Sequence, residues 1–151
     1  MATIRARFIA EANLASLAIR FWTWSHWSHV EFLLEGEWFG ARLDGGVKGR
    51  PLTYVKPSRE KIVEIELTEA QLAALVEWLY RQEGKKYDWL AIIGIVLRRN
   101  WRCENRWFCS ELYVAAFEYI HARLINADRL NRVTPGQADL SPVPKVVFEM
   151  V

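Results

Sequence analysis

Cysteine and histidine are scarce in this chain, which contains two cysteines and three histidines among 151 residues. Two thiols are too few for a disulfide scaffold. Cys103 and Cys109 also do not form a zinc-binding pattern with His26, His29 or His121. We therefore expect a reducing environment, no metal site and no cofactor.

Long apolar runs are absent as well. The longest candidate begins at Trp89 and stops at Arg98, which is shorter than the roughly 18 residues that a membrane-spanning helix needs. The first seven residues have no apolar segment of signal-peptide length. These features predict a cytoplasmic protein without a transmembrane segment, or one that is exported by a route the sequence does not show.

A strong excess of charge of one sign is also missing, because 20 basic residues face 18 acidic ones. This balance gives no indication of a nucleic-acid partner. The length suits a single domain over 1–151, which is large enough to bury about two thirds of its unfolded surface. Neither charge nor length specifies a partner or an oligomeric state.

Tryptophan is unusually common, with eight in the chain. Four of them, Trp22, Trp24, Trp27 and Trp38, surround the segment that contains His29. Aromatic side chains of this kind either pack in a core or line an apolar or sugar-binding cleft. Core packing is the more frequent outcome, and the sequence leaves both open.

Hydrophobic periodicity predicts strands followed by helices rather than a strict alternation of the two. The predicted strands cover 4–10, 29–34, 37–43, 47–54 and 62–67, and the predicted helices cover 13–22, 68–84, 88–98 and 109–124. Leu14, Leu17, Ala18 and Phe21 share one face of the first helix, and Leu112, Ala115, Ala116 and Tyr119 are predicted to point inward from the last. The residues after this helix are expected to be mostly loop with a short terminal element. The predicted fold is α+β with one antiparallel sheet.

Cys109 stands immediately before an amphipathic run, at the expected start of the last helix. A thiol at a helix N-terminus ionises more readily than a free thiol, because it faces unpaired N–H groups and the positive end of the helix dipole. His29 lies at the start of a predicted strand. Each residue alone fits ordinary core packing, but the two together indicate a cysteine hydrolase or acyl-transfer site.

Three short motifs make this reading more specific. The segments 28–30, 86–89 and 108–112, read in this order, resemble the circularly permuted papain-like group. This group includes the YiiX-like relatives of the NlpC cell-wall peptidases and, more distantly, the lecithin retinol acyltransferase-like enzymes. The resemblance implies an antiparallel sheet packed against helices, with Cys109 as the nucleophile at a helix N-terminus and His29 as the general base. It also places Tyr87 near the nucleophile, where the tyrosine either serves the oxyanion or the substrate or simply packs.

The chain departs from this group at the third catalytic position. YiiX-like members carry a glutamate before an alanine on the next strand, and here Gly40 stands at that place. Glu31 lies two residues after His29, on the same face of the predicted strand, and is the candidate to orient the imidazole. Arg42 and Asp44 are further candidates, although a solvent-facing position is the more ordinary expectation for both.

Three functions follow from these residues. The first is a cysteine amidase or peptidase acting on cell-wall peptides or other small amides, in a small phage or bacterial accessory protein. The second is acyl transfer, or hydrolysis of thioesters or lipids, as in the retinol acyltransferase branch. The third is a catalytically idle binding module, which the glycine at position 40 favours. The chemistry of the cleft distinguishes the first two, because a peptide terminus needs charged groups and an acyl chain needs an apolar channel.

Overall fold

A computed structural model describes residues 1–90, 105–122, 133–139 and 145–150. Cys103 and most of the helix predicted over 88–98 lie outside these ranges.

The described residues form eight strands and four helices. The strands are β1 (Ala2–Ala10), β2 (His29–Leu34), β3 (Glu37–Arg42), β4 (Gly46–Pro51), β5 (Arg59–Leu67), β6 (Lys86–Tyr87), β7 (Arg106–Trp107) and β8 (Lys145–Met150). The helices are α1 (Leu14–Thr23), α2 (Glu69–Gln82), α3 (Cys109–Tyr119) and α4 (Pro135–Asp139).

Six strands form one antiparallel sheet in the order β4-β3-β2-β1-β5-β8. The predicted α+β class with an antiparallel sheet is therefore confirmed. Glu35 and Gly36, at the turn between β2 and β3, both have positive φ angles, as tight hairpin turns require. The predicted strand 47–54 is shorter in the structure, since β4 ends at Pro51.

Helix α3 is the central helix of the core. Every residue from Cys109 to Phe117 is buried. The ring of Tyr113 stacks on Phe32 of the sheet, with centroids 5.1 Å apart, and meets Phe8 edge-on at 5.6 Å. Because sheet side chains hold this helix on several sides, the position of its first residue is fixed relative to β2.

Thr68 followed three residues later by Gln71 is the sequence pattern of a capping box, and helix α2 begins with one. The Thr68 hydroxyl accepts a hydrogen bond from the Gln71 backbone, and the Gln71 side chain accepts one from the Thr68 backbone. Both bonds satisfy N–H groups that a helix start otherwise leaves open. The helix ends at Gln82, two residues before Gly84.

Strands β6 and β7 form a separate parallel pair that packs close to β4. The carbonyl oxygen of Lys85 accepts a hydrogen bond from the Val47 N–H at 2.9 Å. Gly46 has φ +72°, and a Cβ there would lie 2.2 Å from that same oxygen. Glycine at position 46 therefore allows the close approach that places Tyr87, the last residue of β6, beside the sheet.

The structure corrects one expectation about a side chain, and it shows where the face of α1 and the expected short terminal element lie. Tyr119 is 44% exposed rather than inward, and its hydroxyl accepts a hydrogen bond from Arg81. Leu14, Leu17, Ala18 and Phe21 do share one face of α1, but that face is open to solvent. The tail contributes β8 as the outermost strand, paired with β5.

Candidate active site

Cys109 is the first residue of α3 and is 1% exposed. Its sulfur lies 4.0 Å from the carbonyl oxygen of Ser28. The preceding residue, Phe108, makes no side-chain hydrogen bond to the helix start. The first-turn N–H groups beside the thiol therefore have no side-chain cap from Phe108, and a helix start of this kind can donate hydrogen bonds to an oxyanion.

His29 is the first residue of β2 and is 5% exposed. Its imidazole lies near Cys109 on one side, and this neighbour is one of the groups that raise its pKa. On the other side, its Nε2 lies 3.1 Å from Oε2 of Glu31. Because Nε2 is used by Glu31, Nδ1 is the ring nitrogen that remains for the thiol.

Glu31 lies on the same strand face as His29, as the two-residue period of a strand requires. The structure therefore brings Cys109, His29 and Glu31 together, with a hydrogen bond between His29 and Glu31. Two further residues hold the carboxylate. Arg7 Nε donates to its Oε1 at 2.6 Å, and the Tyr54 hydroxyl lies 2.8 Å from its Oε2.

Arg7 and Tyr54 are the site residues that the sequence did not indicate. Arg7 is 3% exposed, stacks on Trp38 at 4.1 Å and also donates to Glu60 at 3.0 Å. Both residues are far from Glu31 in the chain and belong to no recognisable motif. The one available signal for Arg7 was a basic residue inside a strand that is otherwise mostly apolar, between Ala6 and Phe8.

Gly40 lies directly beside Glu31 on the neighbouring strand. A Cβ at position 40 would be 2.9 Å from the Cβ of Glu31, closer than side-chain carbons approach one another. Glycine at position 40 of β3 therefore leaves room for the Glu31 side chain.

The electrostatics of His29 and Glu31 are those of an ion pair. Burial by itself lowers the pKa of His29, but the hydrogen bonds to Cys109 and Glu31 and the charge of Glu31 raise it to about 9. Burial by itself raises the pKa of Glu31, but the hydrogen bond and charge of His29, together with Arg7, lower it to about 2. Near neutral pH, His29 is therefore protonated and Glu31 is ionised.

A cleft of about 300 Å³ opens beside His29. Its walls carry several polar or charged side chains, namely Glu11, Asn13, Ser16, Ser28, Arg42 and Asp44. Ala15 and Ile19 of α1 and the side chain of Leu43 supply apolar surface. Cys109 is not among the lining residues, so a substrate reaches the sulfur only when the groups in front of it move.

Tyr87 also lines this cleft, and burial raises its pKa well above its ordinary value of 10. Its hydroxyl is therefore a neutral donor at physiological pH. Beyond Tyr87 and Leu43, a second cavity of about 370 Å³ is bordered by Lys86, Arg106 and Trp89. The two cavities share Tyr87 and Leu43, which places a basic region next to the first cleft.

Asp44 is exposed, as expected, whereas Arg42 is partly buried. Arg42 is fixed by Glu11 at 2.7 Å and Asp44 at 3.2 Å, and all three line the cleft. Neither Arg42 nor Asp44 has a hydrogen bond to His29 in the structure. Of the tryptophans near His29, Trp27 and Trp38 are buried, whereas Trp22 and Trp24 are exposed and do not line the cleft.

The described ranges contain no group of three histidine, cysteine, aspartate or glutamate residues that is suited to hold a metal ion. In the same ranges, no helix has the length and apolar character needed to cross a bilayer.

The fold has a counterpart among solved structures. The metalloprotein YiiX from Escherichia coli O157:H7, a DUF1105 protein, superposes with a TM-score of 0.75 over 98% of this chain and 97% of that one. The two sequences are 19% identical. No model of a protein family matches the chain. No curated protein sequence matches it either. The chain therefore has a YiiX-like α+β fold.

Proposed function

We propose that the chain is a cysteine hydrolase of the permuted NlpC type that cleaves an amide bond in a peptide or another small amide. The observation that carries this proposal is the buried series Cys109, His29 and Glu31 at the N-terminus of α3. A thiol, an imidazole and a carboxylate in this order are the groups that nucleophilic catalysis at a carbonyl carbon requires.

The proposed reaction begins with attack of the Cys109 thiolate on the amide carbonyl carbon, which forms a C–S bond and moves an electron pair onto oxygen. The N–H groups at the start of α3 and the Tyr87 hydroxyl stabilise this oxyanion. The protonated His29 then donates its proton to the leaving nitrogen as the C–N bond breaks.

A thioester remains on Cys109 after the amine leaves. His29, now neutral, accepts a proton from a water molecule, and the resulting hydroxide attacks the thioester carbon. The C–S bond breaks, the carboxylic acid is released and the sulfur again faces a protonated His29. Glu31 holds the imidazole and stabilises its positive charge in the steps where His29 is protonated.

The lining of the cleft favours an amide over a long acyl chain as substrate. Charged groups of both signs, Arg42 with Glu11 and Asp44, stand on its walls and suit the termini or side chains of a peptide. Trp22 and Trp24 do not form an apolar channel there. Acyl transfer, or hydrolysis of thioesters or lipids, is the second candidate, favoured by the exposed apolar face of α1 beside the cleft.

Trapping of the acyl-enzyme tests the proposal. The protein is incubated with small peptide amides and with acyl thioesters, and the mass of the peptide containing Cys109 is measured after acid quench. We expect an acyl adduct on Cys109 that is lost in His29→Ala. His26→Ala is the matched control, because His26 is exposed and contacts Arg59 rather than the site.

The outcome assigns the function. An adduct from amides supports the amidase, and an adduct from thioesters alone favours the second candidate. If no adduct and no hydrolysis appear with either class, the chain is an idle binding module and the proposal is wrong. Equal losses in His29→Ala and His26→Ala would also reject the assigned base.

A further inference from the structure

The outer face of α1 is an apolar surface that nothing in the described structure covers. Only Ser16 and Ile19 of its ten residues are buried. The exposed fractions are 86% for Leu14, 51% for Leu17, 71% for Phe21 and 53% for Trp22. A contiguous patch of this kind is uncommon on a monomeric protein and marks a contact surface.

Trp24 extends this surface past the end of the helix. It adopts a left-handed conformation, with φ 51°, and its side chain is 95% exposed. The left-handed conformation is unfavourable for a residue with a large side chain, and an exposed indole adds nothing to the core. The left-handed backbone caps the end of α1, because the Trp24 N–H donates to the Arg20 carbonyl oxygen. The exposed indole has no part in this cap, and it therefore fits a side chain that is available for contact.

The opposite face of the same helix forms part of the candidate active site. Ser16 and Ile19 line the cleft beside His29, and Leu43, which is 57% exposed, lines it as well. Any surface that covers α1 is therefore held next to the mouth of the cleft.

The charges around α1 indicate which kind of partner surface this helix would contact. No acidic residue occurs over 12–30, which includes the whole helix. Arg20 lies in the last turn, and its buried Nε has no hydrogen-bond partner in the structure. Arg59 adds a second cation next to His26. Leucine, phenylalanine and tryptophan on a helix that carries a cation and no carboxylate are typical of helices that lie in the interface of an anionic membrane. The nearest carboxylates, Glu11 and Asp44 on the wall of the cleft, are both paired with Arg42.

We propose that α1 and Trp24 dock on the surface of an anionic lipid bilayer, with the apolar face in the headgroup region and the active-site cleft at the membrane surface. In this arrangement Leu14, Leu17, Phe21 and the two exposed tryptophans enter the boundary of the acyl chains. The proposal concerns the outer face of α1 and does not depend on the hydrolase activity.

Vesicle co-sedimentation tests the proposal. The full chain is mixed with vesicles of phosphatidylcholine alone or of equal parts phosphatidylcholine and phosphatidylglycerol. We expect stronger binding to the mixed vesicles, and a partition coefficient about tenfold lower in each of Phe21→Ser and Trp24→Ser, because each removes a large apolar side chain from the interface.

Phe148→Ser is the matched control, since Phe148 is 46% exposed on β8, at the far edge of the sheet from β4. It should bind vesicles as the unaltered chain does. Circular dichroism of each variant checks that the fold is retained.

Three results would overturn the proposal. The first is that the unaltered chain binds neither kind of vesicle. The second is that the α1 variants bind vesicles as strongly as the unaltered chain does. The third is that sedimentation equilibrium shows a dimer formed through α1 while no vesicle binding is seen. Cys109→Ser separates this proposal from the hydrolase, because it should abolish any turnover and leave vesicle binding intact.

Discussion

At the scale of single residues, the position of the Glu31 side chain on β2 depends on the glycine beside it on β3, Gly40. The contact of 2.9 Å between Glu31 Cβ and a Cβ at position 40 shows that the two positions compete for one space. The carboxylate is therefore placed beside His29 from the strand that carries the histidine itself.

Replacement of Glu31 by glutamine tests its role in orienting His29. The amide has the same shape but cannot stabilise an imidazolium, so we expect the rate of acyl-enzyme formation to fall by on the order of 10² to 10⁴. Alkylation of Cys109 by iodoacetamide near pH 7 should also slow. Both rates are measured by mass spectrometry of the peptide that contains Cys109.

Glu60→Gln is the control for the loss of a charge next to Arg7. Glu60 accepts from Arg7 at 3.0 Å, and the structure shows no hydrogen bond between it and His29. Glu31→Gln should lower the free energy of unfolding by about 3 kcal/mol, because it leaves Arg7 and His29 without their buried counter-charge. Glu60→Gln should lower it less and leave Cys109 alkylation unchanged. Equal slowing of alkylation in the two variants would refute the orienting role.

Gly40→Ala tests whether Glu31 needs the space that the glycine beside it leaves open. The new methyl group would press on the Glu31 side chain and displace its carboxylate from His29. We expect a loss of about 1 to 3 kcal/mol in the free energy of unfolding, together with slower alkylation of Cys109. Urea denaturation and the alkylation assay measure the two effects.

Gly49→Ala is the matched control on the adjacent strand β4. A Cβ there meets the end of the Glu37 side chain, with Oε2 at 2.3 Å, and that flexible carboxylate can move away. The control should change stability little and leave Cys109 reactivity as it is. If Gly40→Ala behaved in the same way, glycine at position 40 would not be required by Glu31.

At the scale of elements, the sequence predicted those parts of the fold that depend on local patterns. The bounds of β2 agree with the prediction over 29–34, and the capping box at Thr68 opens α2 as expected. The start of the predicted helix at Cys109 also agrees with α3. Alternation and capping act between near neighbours in the chain, so a single sequence contains enough information for them.

Features that depend on distant residues were missed. The apolar face of α1 was identified, but periodicity does not say whether another element covers that face, and none of the described elements does. Arg7 and Tyr54 meet Glu31 across 24 and 23 positions of the chain, and only the folded sheet brings them together. A short terminal element was expected, but the pairing of β8 with β5 was not, because this pairing is set by the edge of the folded sheet.

The approach of β6 to β4 is the element-scale feature that positions Tyr87. In Gly46→Ala, the new Cβ would meet the Lys85 carbonyl oxygen at 2.2 Å, in addition to the cost of a positive φ. We expect β6 to move away from β4, with a loss of more than about 3 kcal/mol in the free energy of unfolding. Thermal and urea denaturation measure this loss.

Gly36→Ala separates the backbone cost from the steric one. Gly36 has φ +83°, but a Cβ there meets nothing within 4 Å. It should cost only about 1 kcal/mol, the penalty of the left-handed conformation itself. If the two alanine variants lost equal stability, the contact between Gly46 and Lys85 would not constrain β6.

At the scale of the whole molecule, the sheet and α3 together hold the ionisable side chains of the candidate site in place. Strand β1 is central in the sheet and carries both Phe8 into the core and Arg7 to Glu31. Strand β2 carries Glu31 and His29, and α3 brings Cys109 to His29. Since the ion pair lies between elements that form the core, its charge state contributes to the stability of the whole fold as well as to the site.

This coupling predicts how stability depends on pH. The pKa of His29 is raised from 6.5 to about 9, so its contribution is complete below pH 6.5 and is lost as the pH rises through about 9. The pKa of Glu31 is lowered from 4.5 to about 2, so its contribution is complete above pH 4.5 and is lost as the pH falls through about 2. Both contributions are complete only between about pH 4.5 and 6.5.

Urea unfolding across this pH range measures the effect, with His29→Asn as the comparison. The free energy of unfolding should fall between pH 6.5 and 9 in the unaltered chain and change much less in His29→Asn. Buried tyrosines do not obscure this range, because the pKa values of Tyr54 and Tyr113 are raised above 10 by burial, and their effects on stability begin only there. An alkaline loss of the same size in His29→Asn would show that another group titrates, and the ion pair would then not be the source of the pH dependence.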